Sequence, residues 1–165
     1  MPGFPGITET GEPTQPEEIA VTVQRILDTQ EGVERAHIAP DARIRDVLNS
    51  LAFRNVGALV VSSDGDTVEG IISERDIVRG LQSAGADLLD KPVREVMTEK
   101  VITCVATDRA AGIMAVMVSK HLRHVPVLED GKFVSMISIR DLLQLRLNEV
   151  QSEADAMRSY ISGGA

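Results

Sequence analysis

Tryptophan is absent from this 165-residue chain and aromatic residues together make up 2% of it, so any core is built from Val, Ile, Leu, Ala and Met. A single cysteine, Cys104, has no partner for an intrachain disulfide, which fits a reducing compartment. Within Ile102-Thr103-Cys104-Val105 it reads as a packed strand residue. Cations are also short: 17 Lys and Arg stand against 25 Asp and Glu, for a net charge of −8. Nucleic acids and anionic membranes are held by clustered Lys and Arg, so this balance argues against both, while a few local cations would still suffice for one small phosphate ligand. No apolar run approaches the roughly 18 residues of a membrane span. The start, Met1-Pro2-Gly3-Phe4-Pro5-Gly6, has neither the basic nor the apolar part of a secretory signal, and the expected location is the cytoplasm. Catalytic constellations are missing too. His37, His121 and His124 are not at zinc-ligand spacing, and there is no Gly-rich phosphate loop or G-x-S-x-G elbow, so the sequence gives no active site and no metal site.

What the chain does have is repetition. Ser73-Glu74-Arg75-Asp76 follows an apolar strand pattern and opens a helical one, and Ser138-Ile139-Arg140-Asp141 does the same 65 residues later. Around these motifs the order strand, helix, strand, strand, helix occurs twice. Asp41 and Asp108 are 67 apart and Gly65 and Gly131 are 66 apart, a drift of the size that turn insertions produce. The expected fold is α/β (α+β), two pseudo-symmetric β-α-β-β-α repeats with an N-terminal helix and a C-terminal helical tail. Residues 1–15 read as a disordered leader, 16–82 as the first repeat with its preceding helix, 83–96 as a linker, 97–147 as the second repeat and 148–165 as the tail.

In element terms, Pro16-Glu17-Glu18 opens a helix with the apolar face Ile19, Val23, Ile26 and Leu27. Val33 to Ile38 is a strand, and Ile44, Val47, Leu48 and Leu51 give one helix face. Gly57-Ala58-Leu59-Val60-Val61 and Val68 to Ile72 flank an Asp64-Gly65 turn, and Ile77, Val78 and Leu81 continue the helix after it. Val101 to Val105 and Val125 to Leu128 are strands, with Ile113, Met114, Met117 and His121 on a helix between them. Phe133 to Ile137 returns after Asp130-Gly131. In the last helix Leu143, Leu147, Val150, Ala154, Met157 and Ile161 form a heptad-like seam. It either packs back on its own domain or meets a second copy.

Ser-x-Arg-Asp at a strand-to-helix turn has two readings. A helix N-terminus offers free N–H groups to phosphate, Arg a forked donor, and Asp two acceptor oxygens for the hydroxyls of a ribose. The same residues also make an ordinary capping box that serves only the backbone. A second cluster, Lys120-His121-Leu122-Arg123-His124, puts four potential cations in five residues beside the strand next to Ser138, whereas the first half has Val56-Gly57-Ala58 at that place. The two sites are therefore expected to be unequal, with the phosphate cluster in the second repeat. A helix end with solvated cations accounts for Lys120 equally well.

These motifs, together with Gly70-Ile71-Ile72-Ser73, Arg123-His124-Val125-Pro126-Val127 and Pro92-Val93-Arg94-Glu95-Val96-Met97-Thr98, resemble a tandem pair of cystathionine β-synthase (CBS) domains, a Bateman module, over about residues 18–147. The chain is similar to small stand-alone bacterial CBS-pair proteins. The resemblance implies a regulatory sensor that binds an adenine nucleotide (AMP, ADP, ATP or NAD(H), or S-adenosylmethionine) in its clefts and signals as a disc-shaped homodimer to which the tail contributes. The alternative is a ligand-independent interaction module for a client enzyme or transporter. By the same resemblance Asp76 and Asp141 hold ribose hydroxyls, and Ser73, Ser138, Arg123 and His124 face phosphates with Arg75 and Arg140 assisting. Adenine lies among Thr103, Ile72 and Ile137, and Val125 and Pro126 complete the second cleft. Two residues depart from the family pattern: Ser135, where relatives have Gly, and Arg140, where they often have a small residue, which either adds a phosphate contact or obstructs the cleft.

Overall fold

The structure, a computed structural model, describes residues 21–30 and 35–162. The expected leader, the helix start at Pro16-Glu17-Glu18 and the first residues of the Val33–Ile38 strand lie outside the described residues. In chain order the elements are α1 (Gln24–Thr29), β1 (His37–Ile38), α2 (Ile44–Arg54), β2 (Ala58–Val61), β3 (Gly70–Ser73), α3 (Glu74–Ala84), β4 (Cys104–Val105), α4 (Ala110–Ser119), β5 (His124–Glu129), β6 (Lys132–Ser138) and α5 (Ile139–Ser162). Two short 3-10 helices, Gly85–Asp90 and Val93–Glu95, lie between α3 and β4.

Each repeat is a three-stranded sheet in the order β1-β2-β3 or β4-β5-β6, the first pair parallel and the second antiparallel. The strand-helix-strand-strand-helix repeat is thus present twice. Among the described residues β1 and β4 are shorter than the sequence pattern implies, because two residues of each stand in register with the neighbouring strand. The β5–β6 turn has Asp130 and Gly131 both at positive φ, 49° and 78°, as a two-residue hairpin twisted with its strands requires. His121 is not on the α4 face: it takes a left-handed conformation just past the helix (φ 55°), as Asn55 does after α2 (φ 53°). A left-handed residue there ends the helix and turns the chain into the strand.

Each sheet buries one face against its own helices. Ile44, Val47 and Leu51 of α2 meet Leu59, Val61, Ile72 and Ile77, and in the second repeat Met117 and Leu142 meet Val125, Val127 and Ile137. Sequence order and packing part company at the segments that enter the repeats. α1, grouped above with the first repeat, packs through Val23 and Ile26 into the core of the second. The segment before β4 packs through Leu88 and Val93 into the core of the first. The exchange is reciprocal bond for bond. Val23 N donates to Asp108 O at 2.9 Å as Val93 N does to Ala42 O at 2.8 Å, and Ala110 N donates to Val21 O at 2.9 Å as Ile44 N does to Lys91 O at 3.1 Å. Thr22 bridges Arg109 and Pro92 bridges Arg43. Within residues 83–96, Leu88 and Val93 thus enter the first repeat's core, with Ala84, Leu89 and Val96 partly buried against it.

The same exchange explains Gly70 and Ser135. A Cβ at Gly70 would stand 2.5 Å from the sulfur of Met97 and 3.1 Å from the Thr98 carbonyl, so the entering segment leaves no room for a side chain. At Ser135, opposite Val127 as Gly70 is opposite Val61, the hydroxyl donates to Gln30 Oε1 at 2.7 Å, just past α1. The departure from glycine ties α1 to β6.

α5 runs 24 residues. Leu142 is buried, but Leu143, Leu147, Met157 and Ile161 are 50%, 63%, 68% and 78% exposed, so the seam has no cover among the described residues.

Candidate functional site

Ser73 and Ser138 close β3 and β6 opposite Ala58 and His124 in register. At the first turn the backbone N and the hydroxyl of Ser73 both donate to Oδ2 of Asp76, at 2.8 and 2.6 Å. At the second, the backbone N and hydroxyl of Ser138 donate to Oδ2 of Asp141, each at 2.7 Å, and Asp141 N donates back to Ser138 Oγ at 3.2 Å. The capping box is therefore real, and it uses one carboxylate oxygen. Oδ1 of each Asp accepts no hydrogen bond from a described residue. Capping and ligand binding are compatible here: the cap fixes the carboxylate and leaves one oxygen to offer.

The helix ends are less open to phosphate than the motif alone implies. The first N–H of each helix is already bonded, Glu74 N to Gly57 O at 3.1 Å and Ile139 N to Arg123 O at 3.0 Å. Asp141 N is held by Ser138 as well, so the second turn keeps fewer free N–H groups than the motif implies. Arg123 is exposed, and its guanidinium pairs with no described residue. His124 is half-buried, and its ring comes so close to the first repeat that a Cβ on Gly57 would stand 3.1 Å from Cε1. Burial pushes the imidazole below its ordinary value and the Arg123 charge adds to this, while the carboxylates of Asp141 and Glu74 pull the other way. Ser138, Asp141, Arg123 and His124 thus come together at one turn, with Gly57 and Glu74 of the first repeat facing them. Glu74 was not singled out in the sequence. Its signal was the variable position of Ser-x-Arg-Asp, acidic in one copy and Ile139 in the other.

The remaining residues are placed differently. Arg75 donates through Nη1 to His121 O at 3.2 Å, tying α3 to the loop before β5, whereas Arg140 is exposed and makes no such bond. Ile72, Val125 and Ile137 are fully buried, and their side chains belong to the helix-side cores. Pro126 is buried on the opposite face of β5, the face of His124, and Thr103 is half-buried just before β4. A cavity of about 320 Å³ adjoins Asp76, between α3 and the 3-10 segments, with Arg79 and Lys91 in its wall. A groove of about 980 Å³ runs between α1, α4 and α5. Neither is lined by Arg123, His124, Ser138 or Asp141.

No group of three or more His, Cys, Asp or Glu among the described residues could hold a metal ion. No helix among them is long and apolar enough to cross a membrane. Cys104 is buried, and desolvation with the nearby Asp108 charge pushes its thiol up to about 12, the environment of a packed cysteine.

The comparisons with known proteins agree with this architecture. The family described as CBS domain matches residues 34–83 and 93–148. The mitochondrial CBS domain-containing protein CBSX3 of Arabidopsis thaliana is 34% identical over 128 residues, 75% of this chain and 62% of that protein, so the chain spans less than two thirds of that relative's length. The crystal structure of the CBS-domain protein ATU1752 from Agrobacterium tumefaciens superposes with a TM-score of 0.72 at 34% identity, covering 76% of this chain and 99% of that one. The CBS domain protein PAE2072 from Pyrobaculum aerophilum, complexed with AMP, gives 0.61 at 28% identity, covering 73% of this chain and 89% of that one. The chain belongs to the CBS-domain family and is a CBS pair.

Proposed function

We propose that this CBS pair is a regulatory module that binds an adenine nucleotide, AMP foremost, at its strand-to-helix turns and reports occupancy through a homodimer. The observation that carries the reading is the second turn, where Asp141 is held by Ser138 through one oxygen and keeps the other available beside Arg123 and His124. A pinned carboxylate suits the paired hydroxyls of a ribose, and a guanidinium with a histidine suits a phosphate. The AMP complex of PAE2072 supports the ligand class. Asp76 would hold a ribose in the first repeat, with the adjoining cavity beside it and without the Arg–His pair. The protein acts by binding and not by turnover, in the cytoplasm.

Calorimetric titration with AMP, ATP, NADH and S-adenosylmethionine tests this. Binding of at least one, lost in Asp141→Ala, supports it; no binding by any of the four sinks it. A second reading, an interaction module that works without a ligand, is favoured by the uncovered α5 seam. It predicts that truncation after residue 147 abolishes dimerisation while nucleotides shift the melting temperature by nothing measurable.

A further inference from the structure

The Ser–Asp turn of the second repeat borrows a wall from the first. Arg75 Nη1 donates to His121 O at 3.2 Å, which docks the first turn of α3 on the chain leading into β5. Glu74 N donates to Gly57 O at 3.1 Å and fixes the start of α3 to that glycine. Two side chains converge over Gly57: a Cβ there would stand 3.1 and 3.4 Å from Cε1 and Nε2 of His124, and 3.6 Å from Oε2 of Glu74. The Glu74 side chain is exposed and makes no hydrogen bond or ion pair with a described residue. Its place beside the imidazole comes from the docking of α3, not from a partner of its own.

The internal symmetry shows that this carboxylate is set on one side only. Ile139 N donates to Arg123 O at 3.0 Å as Glu74 N does to Gly57 O, and Ser138 stands opposite His124 as Ser73 does opposite Ala58. Glu74 therefore corresponds to Ile139, and His124 to Ala58: the acid accompanies the histidine, and an apolar residue accompanies the alanine. Both helices already have their capping acid in Asp76 or Asp141, so Glu74 is an added negative charge. Of the charges that act on the His124 ring, Asp141 and Glu74 are negative and Arg123 is positive. Arg75 is turned to the His121 carbonyl, and Arg140 lies exposed on α5.

We infer that Glu74 is the specificity-determining residue of the second site: lent by the first repeat, its carboxylate restricts that site to a ligand with a single phosphate. The inference rests on the nucleotide reading above and adds which nucleotide is preferred and through which side chain. One phosphate beside Arg123 and His124, with the ribose on Asp141, meets a cation and a proton donor. Each further phosphate brings about one more negative charge toward an unpaired carboxylate, and like charges at such range repel. Selectivity of this kind works by penalising the wrong ligand and needs no additional contact to the right one. It also gives a reason for the acid to stay unpaired, since a partner cation would cancel the repulsion.

Calorimetric titration of AMP and of ATP, without divalent cations, into the 165-residue chain carrying Asp76→Asn tests this, because that substitution silences the first turn. In that background AMP should bind more tightly than ATP. Adding Glu74→Gln should lower the ratio of the ATP Kd to the AMP Kd by about three- to tenfold. Glu74→Asp, which keeps the charge, should preserve most of the ratio. Glu129→Gln removes the same charge at the far end of β5, about 17 Å away, and should leave the ratio as it was. A purely structural role for Glu74 would change both affinities alike. A ratio unmoved by Glu74→Gln, or ATP binding as tightly as AMP while Glu74 is intact, would overturn the assignment. Failure of both nucleotides to bind is a separate result, which removes the nucleotide reading and this selectivity with it.

Discussion

The two repeats share a backbone plan down to individual bonds and differ in the side chains set on it. Where the first has Gly57 and Ala58 before its Ser–Asp turn, the second has Arg123 and His124. Where the first has Gly70 pressed under Met97, the second has Ser135 bonded to Gln30. α3 breaks at Gly85 and folds back as a short 3-10 cover, while α5 continues to Ser162. A symmetric scaffold therefore carries unequal side chains. The first repeat is closed by its linker and lends Gly57 and Glu74 to its neighbour, and the second gathers cations and projects a helix.

Substitutions in matched positions can break or sharpen that comparison. The largest stability effect is expected at the cover of the first repeat: Leu88→Ala should cost about 2–5 kcal/mol in chemical denaturation, since it empties a site packed between α2 and α3. In the binding assay Arg123→Ala should weaken AMP by about 1.5–3 kcal/mol, roughly tenfold or more in Kd, while Arg75→Ala should act less on affinity, because Arg75 is engaged with the His121 carbonyl. An equal loss in both would remove the asymmetry. Gly57→Ala should destabilise by about 1 kcal/mol or more by pushing a methyl against His124, and Gly57→Ala combined with His124→Ala should recover part of that loss.

The smallest effect is one of pH. The folded state holds His124 below its ordinary value of 6.5, so between the folded value and 6.5 the unfolded chain binds more protons and stability rises with pH. As pH falls through that window stability should be lost, and His124→Gln should flatten the slope. A phosphate bound beside the ring would favour its protonated form, so AMP affinity should rise as pH falls over the same range. A pH-independent Kd would take His124 out of the site.

The repeat, the strand-to-helix turns and the inequality of the two cation clusters could be read from the sequence because each is local: a motif, a spacing, five consecutive residues. The exchange of α1 and the linker could not, because Val23 packs with Leu142 across more than a hundred residues and an apolar helix face does not say which sheet it covers. The strand length at β4 was overread for a related reason, since an apolar run marks a strand only as far as its neighbour pairs with it. His121 fitted a helical period, yet left-handed geometry after α4 decides its place. At the turns, residue types set the capping and ribose readings against each other, and geometry makes them compatible, because Ser138 takes Oδ2 of Asp141 and leaves Oδ1.

Unequal grip at the two turns is read most directly by calorimetric titration of AMP into the wild type, Asp76→Asn and Asp141→Asn. The tighter binding event should survive in Asp76→Asn and disappear in Asp141→Asn. Loss of that event in Asp76→Asn with Asp141→Asn unchanged would place the stronger site in the first repeat and contradict the account.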